Sequence, residues 1–500
     1  MKARIHTLIS QMSQQMYERE QVIAQTLLAA VAGSHTFLYG LPGTAKSLIS
    51  RRVAAAFEVD AYFEYLMNRF STPEEIFGPV SIKALKEDHY IRKTEHYLPC
   101  ADFAFLDEIW KASPAILNTL LTLVNEKVFK NGEQLQQVPL SVLIGASNEI
   151  PEPNQGLDAL YDRFILRLVV EPIQQAGNFH QLLQAKPGSA HLQMDEPLKI
   201  TQAELAEWRE QIHEIELPAL VFQVIDLIRQ YLQQHVDGLS VYISDRRWQR
   251  VAYLLKAAAF LNGRSQVLVS DLYLLKSCLW NQLEDIPEMH KLIDQAILEI
   301  GLHADLQLES LIQRKDELEQ QMLNAFYYTD DVYESYLIQD KEYLRAVTHL
   351  DHHYQDKVLY LLLNKMDSKQ DFFAVDASGE EIRGIVCNFN GGRVCTLKGG
   401  YYGLEEVVTP YIKYPKGSAR RVIDEKLVQQ LRGELAQLQN ALSEDLALLQ
   451  QRFDAQSAHF ASVFVAAADS AQLQQHVQQQ LQRYQLQLQD CARLEQLCQG

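Results

Sequence analysis

A glycine turn ending in lysine and serine, Gly40-Leu41-Pro42-Gly43-Thr44-Ala45-Lys46-Ser47, follows the short apolar run His35–Tyr39 and opens an amphipathic segment from Leu48 to Phe57. Strand, glycine turn and helix in that order are the setting in which G-x-x-x-x-G-K-[ST] binds nucleotide phosphate. Inward-pointing backbone N–H groups and the positive end of the helix both favour an anion there. In such a turn Lys46 reaches the β- and γ-phosphate oxygens, and Ser47 ligates Mg2+. The second glycine of the pattern is Ala45 in this chain. A methyl group at that position suits right-handed helical dihedrals and is strained wherever φ must be positive.

Binding alone is not hydrolysis, which also needs an acid to hold the metal and a base to polarise water. The run Phe103-Ala104-Phe105-Leu106 suits a strand buried on both faces and ends at Asp107-Glu108. Asp107 is placed to hold Mg2+ and Glu108 to activate the attacking water. A third strand, Leu140 to Ala146, ends in Ser147-Asn148-Glu149. Lying between the two nucleotide strands, it would bring the Asn148 amide to the same water. The stretch Leu157 to Phe164 is expected to place Arg163 on a short helix after that strand, with Arg167 beyond it. An arginine so far from its own phosphate site can stabilise charge on a neighbouring subunit's γ-phosphate. The plainer reading of Arg163 is an ion pair with Asp162 or Asp158.

These segments together resemble the AAA+ ATPases, and within them the MoxR branch, where the Ala-Lys-Ser ending of the phosphate loop is familiar. Asn68-Arg69-Phe70-Ser71-Thr72-Pro73-Glu74-Glu75-Ile76-Phe77-Gly78-Pro79 and the stretch from Phe105 to Leu121 look most like the regulatory ATPase variant A (RavA) subgroup. The resemblance runs from about Tyr17 to Trp280. It implies ATP and Mg2+ as ligands, Walker A at Gly40 to Ser47, Walker B at Asp107 and Glu108, sensor 1 at Asn148 and an arginine finger at Arg163. It also implies a sensor 2 arginine in Ser244-Asp245-Arg246-Arg247-Trp248, with Arg246 the first choice and Arg247 the second. A homohexameric ring with ATP between subunits is implied as well. So are a partner carrying a von Willebrand factor A domain and, through the RavA subgroup, an inducible lysine decarboxylase.

Around these motifs, 500 residues are too many for one core. The expected architecture is multidomain: an α/β AAA+ P-loop core over 1–190, an all-α lid over 191–300, and a helical stalk carrying a small β-rich insert. The stalk's arms are expected at 301–326 and 424–500, with the insert, a partner-binding module, at 327–423. Helical spacing in Val221 to Ile228 and Val251 to Leu261, punctuated by Pro218 and Gly263, supports the lid. Lys186-Pro187-Gly188-Ser189 marks the boundary before it. Runs such as Asp371–Val375, Ile382–Val386 and Gly392–Leu397, separated by Gly- and Asn-rich turns, support the insert. Leucines three and four apart in the Gln-rich C-terminal stretch support packed helices.

Composition narrows the function. With 46 basic against 64 acidic residues the net charge is −18, and no nucleic-acid footprint is visible. Six cysteines lie scattered without C-x-x-C pairs, which points to reduced thiols rather than structural zinc. Cys387 and Cys395 flank a turn and read as two unpaired strand cysteines. No signal-peptide pattern opens the chain and no run is long enough to cross a membrane, so a cytoplasmic protein is expected. Asn364-Lys365-Met366-Asp367 imitates a guanine-reading motif but lies too far along the chain to share a nucleotide with Lys46. Asp351, His352 and His353 are adjacent, and adjacency suits a metal poorly. The expected function is an ATP-hydrolysing ring that remodels or regulates protein complexes. The other reading is an ATP-gated scaffold with slow hydrolysis.

Overall fold

The computed structural model describes every residue except 60, 152–155, 186–193, 235–238, 240, 301–306, 351–355, 400–402, 458–461 and 499–500. Two compact units are present: Met1–Leu306 with Leu448–Gln482, and Gln307–Ala447 with Arg483–Gly500. The expected domain marker Lys186 to Ser189 and the Asp351-His352-His353 cluster lie outside the described residues.

In the first unit, helices α1 (Lys2–Met12) and α2 (Glu20–Val31) lead into β1 (His35–Tyr39), and α3 (Lys46–Ala54) follows the glycine turn. Next come β2 (Tyr62–Leu66), the short α4 (Pro73–Phe77) and α5 (Ile82–Leu85), then β3 (Phe103–Asp107) and α6 (Pro114–Glu126). A hairpin of β4 (Val128–Asn131) and β5 (Gln134–Gln137) precedes β6 (Val142–Ser147), and α7 (Asp158–Tyr161) precedes β7 (Phe164–Val169). Five strands pair in parallel in the order β2-β3-β6-β1-β7, so β6 does lie between β3 and β1. Parallel strands covered on both faces need continuous apolar runs, and every residue of β6 is buried. Helix α2 buries all residues from Ile23 to Val31 and packs on β1 and β7. Beneath the strand ends, the Phe37 ring meets Trp110 at 5.5 Å, Tyr161 at 5.6 Å and Phe164 at 5.9 Å between centroids.

After α8 (Ala176–Gln184) the unit continues with helices α9 (Gln202–Glu214), α10 (Ala219–Gln233), α11 (Asp245–Leu261) and α12 (Ile286–Glu299). Thr201 caps α9 in a reciprocal box with Glu204, and Arg4 clasps the same carboxylate at 2.6 and 3.0 Å. Helices α9 and α11 both pack against α2, which fixes this helical part to the sheet. Its own brace is the buried bidentate pair of Arg264 and Asp271, at 2.6 and 2.7 Å.

The second unit begins with α13 (Leu308–Phe326) and continues through short strands β8 (Val332–Tyr333), β9 (Ser335–Ile338), β10 (Lys341–Thr348) and β11 (Lys357–Leu362). Strands β12 (Phe372–Val375), β13 (Glu381–Asn388), β14 (Cys395–Gly399), β15 (Leu404–Val408) and β16 (Ile412–Tyr414) follow. Seven of them form an antiparallel sheet, β15-β14-β13-β12-β11-β10-β9, around an apolar core that includes Leu359, Leu361, Cys387 and Leu397. Cys387 and Cys395 are free and buried on neighbouring strands, their thiols directed at the Ile385 and Thr396 carbonyls. Asn364 and Lys365 lie in a 3-10 turn at the end of β11. The last helices are α14 (Glu425–Ser457) and α15 (Ala467–Leu497).

Within 424–500, expected as one stalk arm, Leu448–Gln482 groups with the first unit. The cause is a set of polar contacts around the turn between α14 and α15. The Phe464 carbonyl accepts from Gln21 and, at 2.9 Å, from Gln25, while Asn262 donates to Ser462 Oγ at 3.0 Å.

Candidate active site

The glycine turn connects β1 to α3 as its sequence requires. A Cβ on Gly40 would stand 2.5 Å from the Val170 carbonyl oxygen, and Gly43 has φ of +83°. Ala45 does not take the right-handed dihedrals that would make its methyl group harmless; its φ is 70° and its ψ 25°. The turn therefore carries a left-handed alanine, a strain of about 1–2 kcal/mol that glycine would not bear. Thr44 Oγ1 donates to Leu41 O at 2.9 Å, and Lys46 Nζ donates to Gly40 O at 2.7 Å and Leu41 O at 3.1 Å. The lysine thus satisfies two carbonyls of the turn itself.

Strand pairing brings the acidic residues alongside. Asp107 ends β3 in register with Ala146 of β6, and Tyr39 of β1 is in register with Ser147. The Gly40 N–H donates to Ser147 O at 3.1 Å, so the phosphate turn is tied directly to the strand that delivers Asn148. Glu108 takes a left-handed conformation, φ 52°, which turns its carboxylate back toward the strand ends. There it meets Ser147 Oγ at 3.4 Å and Lys111 Nζ at 3.2 Å. Asn148 Oδ1 is buried without a hydrogen-bond partner, an unspent acceptor beside these groups.

Charge in this corner is finely opposed. Burial pushes Asp107 up from its ordinary value while Lys46 pulls it down. Burial likewise pushes Lys46 down, and Asp107 and Glu108 hold it up. The donor set fits a metal-bound polyphosphate: a lysine and backbone N–H groups for oxygen anions, and Ser47 and Asp107 as oxygen ligands of the kind a hard cation takes.

The remaining candidates lie elsewhere. Phe164 is in register with His35, at the opposite end of β1 from the glycine turn. Arg163 is therefore separated from its own phosphate turn by about 15 Å of sheet. It also stands beyond the helix expected to carry it, because α7 ends at Tyr161. Arg163 contacts Asn125 and lies 3.6 Å from Asp162, so the ion pair of the alternative reading is present. Arg246, at the start of α11, shares this neighbourhood: although its residue is largely exposed, partial desolvation of its guanidinium, then Arg163 and Arg250, lower its proton affinity, with Asp162 opposing. Arg247 is different. It is fully buried, and its guanidinium donates to the Trp280 carbonyl at 3.0 Å and to Asn281 Oδ1 at 2.7 Å, with Cys278 O as a further acceptor. Arg167, equally buried, donates to Trp280 O at 2.6 Å and to Tyr161 O at 3.0 Å. Arg167 thereby knits the sheet to the helical part, while Arg247 braces the helical part itself.

This arrangement coincides with a known family. Residues 3–210 match the MoxR domain of the MoxR-vWA-beta-propeller ternary systems, and residues 220–293 match an AAA lid domain. The chain belongs to the MoxR-type AAA+ ATPases. Two uncharacterised proteins of Methanocaldococcus jannaschii are 39% identical over 281 residues and 38% identical over 273 residues. The first alignment takes in 55% of this chain and 70% of the relative, the second 54% and 69%. A solved structure from Cytophaga hutchinsonii, provisionally described as an ATPase, has a TM-score of 0.49 at 18% identity and covers 60% of this chain and 94% of its own.

Sequence reasoning missed Arg19 in this MoxR-type ATPase. Buried ahead of α2, it donates to Thr44 O at 3.3 Å and to the Glu171 carbonyl, thereby joining the phosphate turn to the chain after β7. An arginine preceding an apolar helix carries no motif, so only the fold reveals it.

Proposed function

We propose that this chain is the subunit of an ATP-hydrolysing ring that remodels or regulates protein complexes. The observation that carries the reading is the separation of two half-sites on one subunit. Lys46, Asp107, Glu108 and Asn148 meet at one end of the sheet, and Arg163, Arg246 and Arg250 crowd together near the other end with Asp162 as the carboxylate among them. Cations drawn together in this way are stabilised by an anion, and nucleotide phosphate held on the turn of a second copy would supply one.

In that reading Lys46 turns from the Gly40 and Leu41 carbonyls to the phosphate oxygens. Ser47 and Asp107 are the residues that would hold Mg2+, whose contribution is to neutralise phosphate charge. Glu108 accepts the proton of the attacking water, and Asn148 orients that water through its unused Oδ1. The neighbour's Arg163, and with it Arg246, stabilises charge building on the γ-phosphate. Arg247 has no part in this chemistry, since both terminal nitrogens of its buried guanidinium are committed within the subunit. The systems for which the matched domain is named support a von Willebrand factor A domain partner. A β-rich module set between helices after the lid supports the finer RavA-like reading.

Steady-state phosphate release and nucleotide affinity test this together. Glu108→Gln should retain nucleotide and lose at least about a hundredfold in turnover, while Lys46→Ala should lose nucleotide. Near-normal turnover in Glu108→Gln would remove the assignment of the base.

A further inference from the structure

Beside the phosphate turn lies a cavity of ≈ 740 Å³, within the roughly 300–1,000 Å³ range of small-molecule sites. It opens at the carboxyl ends of β1 and β7, where open α/β sheets receive their ligands. Tyr39, the residue before Gly40, lines it, and so does Arg19, the residue that also donates to Thr44 O at 3.3 Å. The cavity and the phosphate turn thus share a side chain. Across from the sheet, the helical part contributes Tyr273, whose hydroxyl is buried without a hydrogen-bond partner. A buried orphan hydroxyl costs stability unless something supplies a partner.

The remaining wall comes from the far end of the chain. Val465 and Ala466, in the turn between α14 and α15, line the same cavity, as does Asp469. This turn is held on both sides. Gln21 and Gln25 of α2 donate to the Phe464 carbonyl, the second at 2.9 Å. On the helical side Lys276 Nζ lies 2.7 Å from Asp469 and 2.6 Å from Asp294. Phe464 and Val465 are buried. A lining that mixes apolar side chains with polar ones suits a flat ring carrying a sugar.

In this family the nucleoside end of the nucleotide lies in this cleft between the sheet and the helical part; we propose that Val465 and Ala466, contributed from beyond the lid, form a wall of it that determines how the base binds. The inference rests on the phosphate site of the preceding reading and adds a specificity element that no nucleotide motif contains. It also means that a nucleoside filling the cavity presses on the turn joining the two C-terminal helices.

The test uses the full chain with two probes: N-methylanthraniloyl-ATP, and tripolyphosphate, which has the phosphates without the nucleoside. Ala466→Trp places bulk in the cavity and should weaken the nucleotide by about tenfold or more while tripolyphosphate affinity stays within about twofold. Unchanged nucleotide affinity in that variant would overturn the proposal. If both probes are lost, Val465→Ala decides, since it only removes wall: the proposal requires nucleotide affinity to fall by about threefold or more with tripolyphosphate unchanged, and equal affinities overturn it. Lys46→Ala serves as the control, because retention of both probes there would sink the phosphate site itself and not the wall.

Discussion

His35 Nδ1 accepts a hydrogen bond from the Leu143 backbone N–H at 3.0 Å, joining β1 to β6 at the end of the sheet away from the phosphate turn. The imidazole is buried, and burial first, then Lys127, Arg250, Arg246 and Arg163, pushes its pKa down from 6.5 to about 3. Only the neutral ring can accept the bond, so this contact requires His35 unprotonated.

The pH dependence of stability follows in sign. Because the unfolded chain binds the proton more readily, His35 makes the folded state lose stability as pH falls below 6.5 toward 3. The loss approaches about 1.4 kcal/mol per pH unit inside that window. Melting temperature measured from pH 7 to pH 4 should fall less steeply in His35→Gln than in the parent. Equal slopes would show that acid sensitivity arises at other groups.

Ala45 gives a prediction of the opposite kind, a stabilising substitution inside a functional loop. Ala45→Gly removes the left-handed strain of about 1–2 kcal/mol and loosens the unfolded chain by about 0.4–1 kcal/mol. A net gain of about 0.5–1 kcal/mol is expected in chemical denaturation, with nucleotide affinity changed by less than about twofold. A loss of stability would mean that the Ala45 methyl group makes packing contacts worth more than the strain.

How far the sequence was legible depends on the range of the interaction that forms each element. β1 coincides residue for residue with the run His35–Tyr39, and β3 ends at the expected Asp107, because buried parallel strands are written as local apolar runs. Asn148 was placed from the same logic. The error at Arg163 arose because Asp162-Arg163 leads straight from α7 into β7 with no glycine or proline to mark the stop. The β9–β10 hairpin was invisible for a related reason: its two-residue turn is Gln339-Asp340, with φ of 47° and 59°, where Asn-Gly would have announced it. Docking of the turn at Phe464 depends on Gln21 and Gln25, distant partners that no local pattern names.

The β-rich part of the second unit should be removable. Its ends are already joined: Tyr327 bridges Ala419, and the Arg420 N–H donates to Phe326 O at 2.8 Å. Replacing residues 328–418 with a short Gly/Ser linker should therefore leave α13 and α14 in place. Phosphate release per subunit is expected within about twofold of the intact chain, with the same native mass in the presence of nucleotide. Loss of the assembled species would assign ring-building to the β module.

The central claim is that each site is completed by a neighbouring copy, and mixing two inactive variants tests it most directly. Arg163→Ala keeps its own Glu108 but spoils the adjoining site, and Glu108→Gln spoils its own site while still offering Arg163. In an equal, co-assembled mixture, about a quarter of the interfaces should unite an intact Glu108 with an intact Arg163. Phosphate release should then rise to a maximum near equal mixing, well above either variant alone. A straight line between two inactive ends, in rings shown by native mass to contain both variants, would contradict the shared site.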